Sequence, residues 1–147
     1  MQDATGGLAV NDSFGDFPTV KQGDKITGFV VNTTSYFGAI NAQPVQGSGI
    51  EVLAENQTVE PVVTTLADLK TNAKTLHAQL VKVDNVTFTK NAGETFNADM
   101  INPSINDGTA DGTFNIFESI YGTTVPTEPV SIVGVSTSAA AAVVGAR

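Results

Sequence analysis

The chain has 147 residues, of which 41% are hydrophobic and 15% charged, with a net charge of −8, one histidine and no cysteine. That is long and apolar enough to bury a core and too sparsely charged for intrinsic disorder, while the missing cysteines exclude disulfides and thiolate chemistry and the single histidine excludes a histidine-pair metal site. Seven Lys and Arg residues, scattered without a basic run, disfavour nucleic acid as a partner, whose phosphates need neutralising.

In chain order, Gln2 to Val10 reads as a turn leading into a short strand, with Gly6 and Gly7 free to turn. Asn11 to Phe17 reads as a loop. After the Gly23-Asp24 turn, Ile26-Thr27-Gly28-Phe29-Val30-Val31 reads as a strand that Gly28 bends or bulges. The polar run Asn32 to Ser35 reads as the connection of a hairpin whose second strand is Tyr36 to Ala42, and Ile50 to Leu53 as a further strand. The one predicted helix spans about 65–76: Thr65 caps it, Asp68 suits the positive end of its dipole, and Leu66, Leu69, Ala73 and Leu76 share a face. Leu80 to Thr89 alternates as a long strand with an irregularity at Asp84-Asn85, which predicts a bulge there. Phe96 to Ile101 reads as a strand and Asn102 to Gly112 as a long polar loop. Thr113 to Ile120, Val130 to Val135 and a small-residue closing strand within Ala139 to Ala146 follow. Short strands at this spacing with one helix predict an all-β fold of barrel type.

Two stretches repeat one idea. Asp3-Ala4-Thr5-Gly6 and Asp107-Gly108-Thr109-Ala110 share an acid, a small residue and a threonine, and each leads into an apolar strand. In each case an apolar segment with a central glycine follows about two dozen residues later, Ile26 to Val30 and Ile132 to Val135. The stretches QDATGGLAV, TVKQGDKITGFVV, QLVKVDNVTFT and INDGTADGTFNIF with PVSIVGVST resemble OB-fold modules attached to secreted nucleases and surface lipoproteins of Bacteroidetes. The resemblance implies two units, 1–62 and 63–147, with the helix opening the second, and a possible shared core. It further implies that the first unit lacks its opening strand, since Met1 falls where that strand should have ended. An extracellular or cell-surface location follows from the same resemblance, with any export signal lying outside the sequence given.

Two sets of candidate site residues emerge. Asp107, Thr109, Asp111, Thr113 and Glu118, with Gly112 between, sit at the positions of a calcium loop, in which alternate side chains and a terminal bidentate glutamate supply oxygen. A flanking strand in place of a helix departs from that pattern. Phe14, Phe17, Tyr36, Phe37 and Tyr121 lie in or beside predicted loops, where barrel modules stack ligands, and an acidic surface suits neutral sugars better than phosphates. His77 reads as a helix-end surface residue favourable to the dipole. No nucleophile elbow and no singled-out carboxylate pair is present, so no catalytic residues and no enzyme activity are expected. No apolar run approaches the roughly 20 residues of a membrane span. The expected function is a non-catalytic binding or spacer module of a larger surface protein, its partner a glycan or another surface protein. The alternatives are a nucleic-acid-binding module beside a nuclease and an assembly module that exchanges strands.

Overall fold

A computed structural model describes residues 1–11, 20–36, 39–100, 102–116, 118–137 and 142–145. The fold is all-β. Its strands in chain order are β1 (Gln2–Asp3), β2 (Gly6–Gly7), β3 (Ala9–Val10), β4 (Lys25–Thr27), β5 (Val31–Tyr36), β6 (Ala39–Pro44), β7 (Glu51–Ala54) and β8 (Val62–Thr64). Two short helices, α1 (Leu66–Thr71) and α2 (Ala73–Leu76), then lead to β9 (Leu80–Phe88), β10 (Ser104–Asn106), β11 (Asp111–Asn115), a 3-10 turn (Glu118–Ile120), β12 (Val130–Thr137) and β13 (Ala142–Gly145).

The largest sheet is drawn entirely from β8 onward. Within it β9 pairs antiparallel with β10 as well as with β12, so the pairings run β9, β10, β11, β13, β12 and back to β9. Only the β11–β13 pair in this circuit is parallel. The first part of the chain repeats a portion of that order. There β3 runs parallel to β6 and β6 antiparallel to β5, just as β11 runs parallel to β13 and β13 antiparallel to β12.

The bulge expected at Asp84-Asn85 explains how β9 serves the core. Val83 pairs with Ile132 and Val86 with Val130, so Asp84 and Asn85 together face the single Ser131, and Asn85 takes the left-handed φ of 57°. A two-for-one insertion shifts the alternation by one residue. Val81 and Val83 before it and Val86 and Phe88 after it therefore all point inward and are buried. They join Leu66, Leu69, Phe96, Ile105, Phe114, Val125 and Ile132 in one core, where the rings of Phe88, Phe96 and Phe114 meet edge-on or tilted at 5.7 to 6.2 Å.

Gly28 bends its strand as expected. It has φ 83°, separates β4 from β5, and a Cβ placed on it would lie 3.1 Å from the Gly49 carbonyl oxygen. Other expectations are corrected. Asn32 to Ser35 is the body of β5 and not a hairpin connection; it pairs in register with Gln43, Ala42, Asn41 and Ile40 of β6. The single helix is two, broken at Asn72, where Thr71 and Asn72 are weak helix formers and the Thr71 hydroxyl turns back to the Ala67 carbonyl. Phe96 to Met100 is a turn: Asn97 Oδ1 accepts from the Asp99 and Met100 amides, and Ile101 lies outside the described residues. The strand lies instead at Ser104–Asn106, inside the predicted loop, and β11 ends at Asn115. The segment 142–145 closes the sheet as predicted, and 139–141 lies outside the described residues.

Candidate binding site

The repeated Asp-x-Thr stretches are two copies of one hydrogen-bonded turn. Asp3 Oδ1 accepts from Thr5 N (2.7 Å), Thr5 Oγ1 (2.6 Å) and Gly6 N (3.2 Å). Asp107 Oδ1 accepts from Thr109 N (2.9 Å), Thr109 Oγ1 (2.7 Å) and Ala110 N (3.2 Å). The second copy has a further task. Asp107 Oδ2 accepts from the Leu66 amide at 2.9 Å and Thr109 Oγ1 from the Ala67 amide at 3.2 Å, while Thr65 Oγ1 accepts from the Asp68 amide at 3.1 Å. The first three amides of α1, which have no partner inside the helix, are thereby all satisfied.

The electrostatics follow from these bonds. Partial burial alone would push the Asp107 carboxyl upward, but the donors from Thr109, Leu66 and Ala110 outweigh it and hold it below the usual carboxylate range. The Thr5 hydroxyl and amide do the same for Asp3. The Ser131 hydroxyl, then Lys82 at 2.9 Å, lower Asp84.

Of the remaining calcium-loop candidates, Asp111 Oδ1 accepts from Asn106 Nδ2 at 2.8 Å, Thr113 is half-buried in β11 opposite Ser104, and Glu118 is exposed at the start of the 3-10 turn. Among the described residues no three or more His, Asp or Glu side chains gather into a metal-sized group. Four donors already reach the Asp107 carboxylate, from the Leu66, Thr109 and Ala110 amides and the Thr109 hydroxyl. Of the aromatic candidates, Phe14, Phe17 and Phe37 lie outside the described residues, Tyr36 ends β5, and Tyr121 follows the 3-10 turn, exposed.

A polar site that sequence reasoning missed lies on the three-stranded sheet. Residues directly opposite across a ladder share a face, and so do residues two apart. Thr34 pairs with Asn41 and Asn32 with Gln43, so these four lie on one face, and Ala42 and Pro44, both buried, lie on the other. On that polar face an open cleft of about 390 Å³ is lined by Asn11, Thr34, Asn41 and Gln43. The signal was present in the alternation Asn41-Ala42-Gln43-Pro44, amide against small apolar residue.

His77 ties this sheet to the rest of the molecule. It closes α2, and its Nε2 lies 3.0 Å from the Ile40 carbonyl; a carbonyl only accepts, so Nε2 carries the hydrogen. The histidine is half-buried rather than a free surface residue, and among the described residues its buried Nδ1 has no partner. Compared with protein-family models, with characterised proteins and with solved structures, the chain matches none.

Proposed function

We propose that the chain is a non-catalytic binding module of OB type whose ligand is a neutral, hydroxyl-rich molecule of glycan class. The observation that carries the reading is the cleft of Asn11, Thr34, Asn41 and Gln43. Its side chains are amides and a hydroxyl, which both donate and accept hydrogen bonds, as sugar hydroxyls do, and which neither give nor take protons near neutral pH. A net charge of −8 repels polyanions and leaves neutral ligands unaffected.

The OB reading is supported by the circuit of five strands with one parallel pair, a Greek-key order suited to a small, partly open barrel. Its placement at the cell surface rests on the resemblance of the repeated stretches. Titration of the ¹⁵N-labelled chain with neutral oligosaccharides is expected to shift the Asn11, Thr34, Asn41 and Gln43 resonances. Removing two amides in Asn41→Ala/Gln43→Ala should weaken binding about tenfold or more, at roughly 1 kcal/mol per lost hydrogen bond. Equal affinity in that variant would dispose of the cleft as the site, and binding to single-stranded DNA that weakens with salt would favour the nucleic-acid alternative.

A further inference from the structure

The polar face of the three-stranded sheet continues past the cleft. Asn32 stands opposite Gln43, and Thr34 opposite Asn41. Asn11 comes one residue after Val10, which pairs with Ala42, so it falls beside Gln43. In the other direction the ladder gains one more pair, because the Val45 amide donates to the Val30 carbonyl at 2.8 Å. Val30 and Val45 are two residues from Asn32 and Gln43 along their own strands, and residues two apart share a face. The face therefore changes character along the strands, from a valine pair to a row of amides and then to Thr34 and Asn41.

Burial agrees with this placement. Ala42 and Pro44, which alternate onto the opposite face, are buried, whereas Val30 and Val45 are 61% and 37% exposed. Apolar side chains scattered singly over a surface are ordinary. These two stand as a cross-strand pair directly beside a polar cleft, where diagonal neighbours about 7–8 Å apart remain within reach of long side chains and of one ligand.

Such a boundary selects among sugar substituents. A hydroxyl laid over the two valines loses water and gains no partner, which is unfavourable, whereas a methyl group there gains burial. The Asn and Gln amides each carry donors and an acceptor, so a second amide can bond them reciprocally. Each also has capacity for more than one partner, and bonds within the sheet can coexist with bonds to a ligand. An acetamido substituent joins the two features, a planar N–H and C=O with a methyl group on the carbonyl carbon. An ammonium has neither an acceptor nor a methyl, and no side chain of the cleft carries a negative charge to receive it. A carboxylate is opposed by the net charge of −8.

We propose, resting on the glycan reading of the cleft, that its ligand is an N-acetylated amino sugar within a neutral glycan. The acetamido N–H and C=O pair with the Asn32 and Gln43 amides, and the methyl group lies on Val30 and Val45. Asn11, Thr34 and Asn41 meet the ring hydroxyls.

Oligomers of glucose, of N-acetylglucosamine and of glucosamine in the same linkage differ only in one ring substituent, respectively a hydroxyl, an acetamido and an amino group. Calorimetric titration of the whole chain is expected to show the N-acetylglucosamine oligomers binding about tenfold or more tighter than the glucose oligomers, from one buried methyl and one added amide bond. Val30→Ser/Val45→Ser, at two exposed positions, should draw the N-acetylglucosamine affinity toward that of glucose oligomers and leave the latter unchanged, with the far-ultraviolet circular dichroism as in wild type. Equal affinities of the wild-type chain for the two sets would overturn the acetamido assignment and leave the glycan reading standing. A preference that persists undiminished in the double variant overturns it too, as does tightest binding of the glucosamine oligomers, which would trace the preference to net charge. Binding of none of the three sets would remove the glycan reading itself, and the acetamido assignment with it.

Discussion

At the scale of single residues, Asp107 combines two roles that are usually separate: it shapes its own turn and caps a helix 41 residues earlier in the chain. Replacing it with alanine leaves the Leu66 amide and the Thr109 turn without their acceptor, and loss of such a cap costs about 0.5–2 kcal/mol. Urea denaturation of Asp107→Ala should show that loss, and a midpoint equal to wild type would refute the capping role. The acid limb of stability carries the same signature. With a folded-state pKa held below the unfolded value of roughly 3.9, the unfolded chain binds the proton first as pH falls, so stability is full above that value and is lost on acidification through the folded pKa. Asp107→Asn keeps one acceptor oxygen and removes this titration. Its melting temperature should therefore fall less steeply than wild type between about pH 5 and pH 2. Asp3 and Asp84, lowered in the same direction, supply the slope that remains.

At the scale of elements, the bulge of β9 was legible in the sequence because two apolar sets, Val81 with Val83 and Val86 with Phe88, fall out of phase. One inserted residue is the simplest way to bring both inside. Asn85 is exposed, so a substitution there isolates the backbone cost from packing. Asn85→Val places a β-branched residue at φ 57° and should cost about 1–3 kcal/mol, whereas Asn85→Gly should be tolerated. Equal midpoints for the two variants would mean that the left-handed turn is not required. The helix start at Thr65 was legible for a similar reason, a hydroxyl three residues before an acid. Two readings failed where long-range pairing overrode local pattern. Ser104–Asn106 looks like loop, yet it lies against both β9 and β11 and buries Ile105 completely. Asn32 to Ser35 looks like a connection, but Thr33 and Thr34 are β-branched and pair in register with Ala42 and Asn41. The amide cleft was missed because its residues come from β5, β6 and the residue that follows β3, and single-strand alternation does not say which strands are neighbours.

At the scale of the whole molecule, specific contacts join the first strands to the segment that carries α2 and β9. The Leu80 amide donates to Gln2 Oε1 at 2.6 Å, Nε2 of His77 to the Ile40 carbonyl, and Gly7 lies so close to Ala78 that any Cβ there would collide with the Ala78 backbone. Gly7→Val should force β2 away from the α2–β9 junction. Overpacking of this kind typically costs about 1–3 kcal/mol, which in a chain of this length lowers the melting temperature by roughly 2–4 °C per kcal/mol. A Gly7→Val melt that superimposes on wild type would show the close approach to be incidental. The cap on α1 also bears on the order of assembly. Six residues are too few to hold a helix in water unaided. During synthesis from the N-terminus, Leu66 and Ala67 emerge about forty residues before the Asp107 and Thr109 oxygens that receive their amides. The helix that comes first in the chain thus cannot become permanent until the turn between β10 and β11 has followed it.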